Sequence, residues 1–294
     1  MTLKIILSIV VFLNLVLSIF VIGQNIKSTT NRFFSLLSLL AALWAFANLM
    51  TGFESIPFWL EATYALGALL VAIGLVWVLV ITDGTFNKTK SSIIILLALF
   101  FSISSFIPGF IAKQYDEIYI GGVFTGVPGW GLIIYTLFYL FGAVTILWKL
   151  FITSKNTKNI DKKSQLKSIF YGSLITLFIT ALTSFILPSF SIFNFSGLDS
   201  IGFLLFLSFI AYAITKQHLF NIKVIATELI TFSLWIFILI RTIIAKSAQD
   251  MIIEGSLLLI TIIVGLLLIR AFIREVNQRE KIEKLAGDLQ KAND

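Results

Sequence analysis

The sequence predicts an all-α, polytopic membrane bundle of about nine transmembrane helices, closed by a charged helix with coiled-coil spacing. Three observations predict it. First, 58% of the 294 residues are hydrophobic and only 13% are charged, with a mean hydropathy of +1.00. Soluble domains average roughly 45–50% apolar and about a quarter charged residues, so one water-surrounded core cannot hide this much apolar surface. Second, the chain contains repeated apolar stretches near the length of about 20 residues that a membrane-crossing helix needs. Third, lysine and arginine fall overwhelmingly in alternate connections between those stretches.

In chain order the stretches are 4–23, 33–53, 60–82, 91–111, 130–152, 168–188, 199–215, 226–245 and 252–273. The first follows Met1 directly, and no small-residue cleavage site follows it, so it reads as a retained helix and not a signal peptide. All four prolines (Pro57, Pro108, Pro128, Pro188) fall at helix ends or in connections on one side, none at mid-membrane. The connection 112–129, "AKQYDEIYIGGVFTGVPG", places "IYI" and "VF" around a Gly-Gly pair, the pattern of a short hairpin. The connection 153–168, "TSKNTKNIDKKSQLKS", reads as a polar, basic, solvated loop. Organisation follows: a seven-helix region over 1–222, two further spans within 223–273, and a tail over 274–294.

Orientation comes from charge. One side carries Lys27, Arg32, Lys88, Lys90, Lys149, Lys155, Lys158, Lys162, Lys163, Lys167, Lys216 and Lys223, together with Arg270, Arg274, Arg279, Lys281, Lys284 and Lys291 of the tail. The other side carries Lys4, Lys113, Arg241 and Lys246. The positive-inside rule makes the first side cytoplasmic, with the N-terminus outside and the tail inside. The expected location is the inner, cytoplasmic membrane. The net charge of +7 is then a matter of topology and of anionic lipid at the inner leaflet, and no nucleic-acid partner is expected. Without cysteine there are no disulfides and no thiol–metal sites.

The tail "REVNQREKIEKLAGDLQKAND" (274–294) contains no proline. Ile282, Leu285, Leu289 and Ala292 are spaced 3, 4, 3, as in the a/d seam of a coiled coil. Ile269, Ile273 and Val276 form a seam slightly out of phase, so the six-residue step from Val276 to Ile282 breaks the heptad. Glu280 and Lys284 form a favourable i,i+4 pair. The ninth span is expected to run into this tail as one helix and to pair there with a second copy. The competing reading is a solvated helix that frays.

Three stretches together resemble a known family: "FTGVPGWGLIIYTLFYLF" (124–141), "AYAITKQHLFNIKVIATELITF" (211–232) and the tail. They are similar to bacterial sensor histidine kinases with an N-terminal seven-helix membrane region. The resemblance implies a membrane-embedded sensory input region of a two-component system. In such kinases a helix like this tail leads into a dimerisation and phosphoacceptor domain, then an ATP-binding domain, and a response regulator is the downstream partner. The chain departs from the family in its two additional spans. It also lacks the kinase chemistry: His218, in "HLFNI", is the single histidine, is followed by Leu219, and has no proline after it. The chain is therefore expected to be non-catalytic, an input half cut before the phosphoacceptor helix.

Other motifs weigh little. Gly121, Gly122, Gly126, Gly129 and Gly131 lack the Lys and Ser/Thr at a helix start that a phosphate loop requires. His218 could switch with pH, but an interfacial histidine with a polar tip and apolar body is the commoner case. No catalytic residue, metal or cofactor is assigned. Candidate ligand-binding residues are Asn14, Asn48, Glu61, Tyr64, Trp130, Tyr135 and Asp199, because a bundle pocket is mostly apolar with a few placed polar groups. The rival account is an aromatic belt of Trp and Tyr, with span asparagines bonding neighbouring helices. Arg241 and Glu254 are expected to pair across the last two spans, unless Arg241 snorkels to the headgroups instead. Val276, Ile282, Leu285 and Leu289 mark the signal-transmitting helix. A nine-span transporter or channel is the alternative from another class, and an input module driving a cyclic-dinucleotide synthase is a variant of the first. Flux in proteoliposomes separates transporter from sensor.

Overall fold

A computed structural model of the chain describes residues 2–51, 57–120, 123–183, 199, 202–203, 205–206, 209–210, 231, 234–243, 245 and 247–293. In chain order these form α1 (Thr2–Gln24), α2 (Thr29–Thr51), α3 (Pro57–Asp83), α4 (Lys88–Ser104), β1 (Ala112–Ile120), β2 (Val123–Pro128), α5 (Leu132–Asn156), α6 (Ile160–Ala181), α7 (Leu234–Ile243) and α8 (Ala248–Asn293). Residues 199, 202–203, 205–206 and 209–210 are also helical. The chain divides into two compact units, Met1–Lys216 and Gln217–Asp294.

Five helical segments are long and apolar enough to cross a membrane among the described residues: Lys4–Gly23, Thr29–Thr51, Pro57–Asp83, Leu132–Asn156 and Gln249–Ala271. The expected fourth span, 91–111, is shorter than the hydropathy implied. α4 stops at Ser104, about 25 Å of helix at 1.5 Å per residue. Pro108 and Gly109 enforce the stop: Phe110 N donates to Ile107 O at 3.0 Å, and Gly109 sits at φ +80°, in the left-handed region that glycine tolerates. The expected sixth span, 168–188, instead begins in a helix that starts at Ile160. The stretch expected as the loop 153–168 is mostly helix, because α5 runs to Asn156 and Asn159 caps α6, accepting from Lys162 N at 2.9 Å. The expected seventh span lies largely outside the described residues, as do Pro188, His218 and most of the stretch 211–232; the expected eighth, 226–245, is described at 231, 234–243 and 245 and contains α7.

In the first unit α3 is the central helix. It packs against α2, α4 and α5, α1 lies on α2, and α6 lies on α5. α3 serves three neighbours because its contacts are built from small residues: Ala62, Ala65, Gly67, Ala68, Ala72 and Gly74 are all buried. Between helices in lipid, close approach of small residues substitutes for the hydrophobic drive that water would supply. One core gathers Phe34, Leu37, Leu70, Ile73, Trp77, Leu150, Leu166, Ile169, Phe206 and Ile210, and a second gathers Ala68, Phe101, Phe110, Ile111 and Tyr135. α1 and α2 are fastened by a reciprocal serine clasp. Ser18 Oγ donates to Ser35 O and Ser35 Oγ donates to Ser18 O, each at 2.8 Å and both buried. At the lysine-rich end, Lys149 Nζ of α5 meets Asp83 Oδ1 of α3 at 2.9 Å.

At the opposite end β1 and β2 form an antiparallel hairpin, as the Gly-Gly pattern predicts, with Ile120 opposite Val123 and Ala112 opposite Pro128. The pairing continues past the strands: Gly129 N donates to Ile111 O at 2.7 Å and Gly131 N to Phe110 O at 2.9 Å. A Cβ on Gly129 would lie 2.4 Å from Gly109 O, so this zipper requires glycine.

The second unit contains a helical hairpin of α7 and α8. Trp235 is fully buried, and its Nε1 donates to Thr261 O at 2.9 Å. Gly265 provides the notch it fills, since a Cβ there would meet Trp235 at 2.5 Å and Thr231 at 2.6 Å. α8 continues without interruption through the 274–293 tail. Replacing Gly265 with alanine is expected to push the indole off Thr261 O and destabilise this hairpin by about 1–3 kcal/mol, the usual cost of overpacking. Thermal unfolding in nanodiscs checks it, and an unchanged midpoint would contradict the notch.

Candidate functional site

The sequence candidates separate into one cluster and several outliers. The cluster lines the second core at the hairpin end of the first unit. Tyr64 of α3 and Tyr135 of α5 meet edge to face, with centroids 5.3 Å apart at 77°. Tyr135 Oη donates to Tyr64 O at 2.7 Å. Gly67 makes that reach possible, because a Cβ at this position would lie 2.8 Å from the Tyr135 hydroxyl oxygen. Phe101 of α4 closes the wall, stacked on Phe138 at 4.5 Å and edge-on to Tyr135 at 6.1 Å.

Asp199 joins the cluster from beyond α6. It is 8% exposed, and its carboxylate acts electrostatically on both Tyr64 and Tyr139. Tyr139 was not among the sequence candidates. Its signal was available, since it lies one helical turn from Tyr135 and therefore on the same face of α5. Asn48 lies one turn beyond Trp44 on α2, and the Trp44 ring is 6.5 Å from that of Phe203. The Asn48 amide donates to Trp44 O at 3.0 Å. Glu61 is half-buried on α3, three residues before Tyr64.

Two candidates stand apart. Trp130 is 60% exposed and sits edge-on to Phe110, 4.9 Å away, at the base of the β-hairpin. Asn14 is buried at the middle of α1, one turn from Ser18 of the serine clasp, with its amide donating to Val10 O at 2.8 Å. In the second unit Arg241 Nη2 of α7 donates to Glu254 Oε1 of α8. Ser247 caps α8 by accepting from Asp250 N at 3.0 Å. Ile282 is exposed. Val276, Leu285 and Leu289 lie on the α8 backbone, and their side chains fall outside the described residues.

The cluster combines a buried carboxylate, phenol hydroxyls and aromatic faces. That set suits a small ligand carrying hydrogen-bond donors or a positive charge, because carboxylate and ring faces both favour one. No group of three metal-ligating side chains occurs among the described residues.

Comparison with known proteins then places the chain. Residues 6–223 match the family described as the N-terminal 7TM region of histidine kinase. The chain belongs to that family. No curated protein and no solved structure matches it. The histidine-kinase 7TM region is a membrane sensory input region, which agrees with a multi-pass location and with the five apolar helices. It is an input module and not a catalytic one. The match covers the first compact unit and ends at residue 223, before α7 and α8.

Two outcomes are expected from this geometry. Tyr135→Phe removes one buried hydrogen bond and should cost about 0.5–1.5 kcal/mol of stability, read by thermal unfolding in nanodiscs. A double-mutant cycle of Arg241→Ala with Glu254→Ala should give a coupling of about 0.2–1 kcal/mol, the range for a partly exposed pair. Strict additivity would mean that the ion pair holds nothing.

Proposed function

We propose that this chain is the sensory input region of a two-component histidine kinase and that it reads its stimulus at the hairpin end of the seven-helix region. Asn48, Glu61, Tyr64, Tyr135, Tyr139 and Asp199 form the sensing layer, with Trp130 at its rim. Asn14 contributes from deeper in the bundle. The hairpin end faces outward and the lysine-rich end faces the cytoplasm, because the positive-inside rule favours that orientation. Nine spans result: seven within 1–222 and two within 223–273, followed by the tail 274–294. The location is the cytoplasmic membrane.

One observation carries the transmission step. α8 is a single helix from Ala248 to Asn293, joining the apolar segment Gln249–Ala271 to the charged tail with no break. Displacement of its membrane part therefore reaches the tail as rotation, tilt or register change. The tail pairs with a second copy through Val276, Ile282, Leu285 and Leu289. The phase step between Val276 and Ile282 offers two windings of that coiled coil, the kind of two-state element a stimulus can bias. An output kinase domain following the tail, and through it a response regulator, receives the signal.

The absence of native cysteine makes the test clean. Single Ile282→Cys, Leu285→Cys and Leu289→Cys variants in native membranes should form disulfide-linked dimers, while Glu283→Cys, off the seam, should not. Adding Asp199→Asn should then change the rate of cross-linking at Ile282→Cys severalfold. Uniform cross-linking at all four positions would remove the coiled-coil seam, and an Asp199-independent rate would disconnect the layer from the tail.

A further inference from the structure

The lysines of the α5–α6 hairpin sit on helix and not on loop. α5 runs to Asn156 and α6 starts at Ile160, so Lys155 and Lys167 hold defined positions on two helix surfaces. Above them the two helices meet through aromatic rings. Phe151 of α5 lies 5.9 Å from Phe170 of α6, and Phe170 lies 5.5 Å from Tyr171, measured between centroids. Phe170 is half-buried, whereas Phe151 and Tyr171 are 49% and 53% exposed. The rings make a shallow groove between the helices, floored by Phe170 and walled by the other two.

The groove ends in positive charge. Lys155 is one turn beyond Phe151, and Lys167 is one turn before Tyr171, so each lysine shares a helix face with a groove wall. A three-residue connection makes α5 and α6 antiparallel, so both steps lead the same way and bring the lysines to one level. Both lysines are exposed, and neither forms an ion pair among the described residues. By register, Asp161 stands about 120° round α6 from Lys167. In the opposite direction the same faces continue as Trp148 and Leu174, which are exposed and apolar. The surface is therefore apolar along the membrane segment, aromatic at its end and cationic one turn farther on. A phospholipid stacks its acyl chains, ester region and phosphate in that order.

We infer that this groove binds an anionic glycerophospholipid, with an acyl chain across Phe151, Phe170 and Tyr171 and the phosphate between Lys155 and Lys167. Packed helices lie about 8–10 Å apart, a gap across which two long lysine side chains reach one phosphate. Charge selects the headgroup. A zwitterionic lipid would bring its ammonium against two lysines, and Lys158 and Lys163, one turn beyond them, add to the same repulsion. A water-soluble protein partner does not fit, because the groove walls belong to the apolar faces that lie in the bilayer. The inference goes beyond the sensing role proposed for the tyrosine layer and does not depend on it.

The test reconstitutes the full chain in phosphatidylcholine vesicles carrying a trace of photoactivatable lipid, with a diazirine near the ester end of one acyl chain. The probe is phosphatidylglycerol in one sample and phosphatidylcholine in the other, and cross-linked residues are mapped by mass spectrometry. Phosphatidylglycerol should label Phe151, Phe170 and Tyr171 well above phosphatidylcholine. Lys155→Gln with Lys167→Gln should lower that ratio by about fivefold for each lysine lost, while Lys155→Arg with Lys167→Arg should keep it. The melting midpoint of the glutamine variant should stay unchanged, since neither lysine holds the bundle together. Equal labelling by the two lipids overturns the inference, as does a ratio that survives the glutamine substitutions. A ratio that falls only together with the melting midpoint also overturns it, because the lysines would then act on the fold and not on the lipid.

Discussion

Everything in the first unit hangs on how closely α3 lets other helices approach. In water, burying apolar surface would hold a bundle together even with imperfect contacts, but in lipid the tails are as apolar as the helices and only tight van der Waals packing and hydrogen bonds favour association. α3 meets this constraint by ending its side chains early at the contact points. At Gly74 a Cβ would sit in ordinary contact with the terminal methyls of Leu37 of α2 and Ile146 of α5, at 3.8 and 3.7 Å, so a small residue suffices there. α5 answers in kind, with Gly142 yielding to Val71. Gly67 admits the Tyr135 hydroxyl to the α3 backbone, so the same economy of side chain that packs the bundle also builds its polar layer.

The same constraint explains the contrast between enclosed and open helices. α3 is buried nearly all round, while α5 presents Ile133, Leu137, Phe141, Val144 and Trp148 outward, one or two turns apart along a single stripe. In a water-soluble protein such a stripe would mark a docking surface or an aggregation hazard. Here it is the face that lipid covers, because a bilayer leaves such side chains solvated by their own kind. The segment Gln249–Ala271 is exposed in the same manner within its own unit.

Hydropathy made the long spans legible, and the Gly-Gly pair made the hairpin legible, because both depend on local residue type. The ends were harder to read. α4 stops at Ser104 since a turn at Pro108–Gly109 outweighs the apolar run through Ile111, and α6 starts at Ile160 since Asn159 caps it within a stretch whose lysines suggested a loop. Capping is a matter of one side chain and one amide, too small to register in an average over twenty residues. The polar layer was partly legible: Tyr64, Tyr135 and Asp199 stood out as polar residues at one end of their spans. Tyr139 was missed because a second tyrosine in an aromatic-rich helix looks like more of the lipid face.

The tail depends on a different property from the bundle, which is stiffness. A helix of 46 residues is about 69 Å long at 1.5 Å per residue, more than twice the roughly 30 Å of bilayer hydrocarbon. Helices kink at proline, and α8 contains none. Its one unfavourable interior residue in the charged part, Gly287, costs about 1 kcal/mol relative to alanine, and the helix continues past it. The anchor lies near the other end. Trp235 is bonded to Thr261 and seated at Gly265, inside the apolar segment, and Arg241 holds Glu254 three turns before that notch. Two fixed points on one face define the rotational setting of the whole rod. A change that moved the indole in the Gly265 notch would therefore turn every residue of the tail together, and this gives a small displacement within the membrane a reach that no flexible linker could supply.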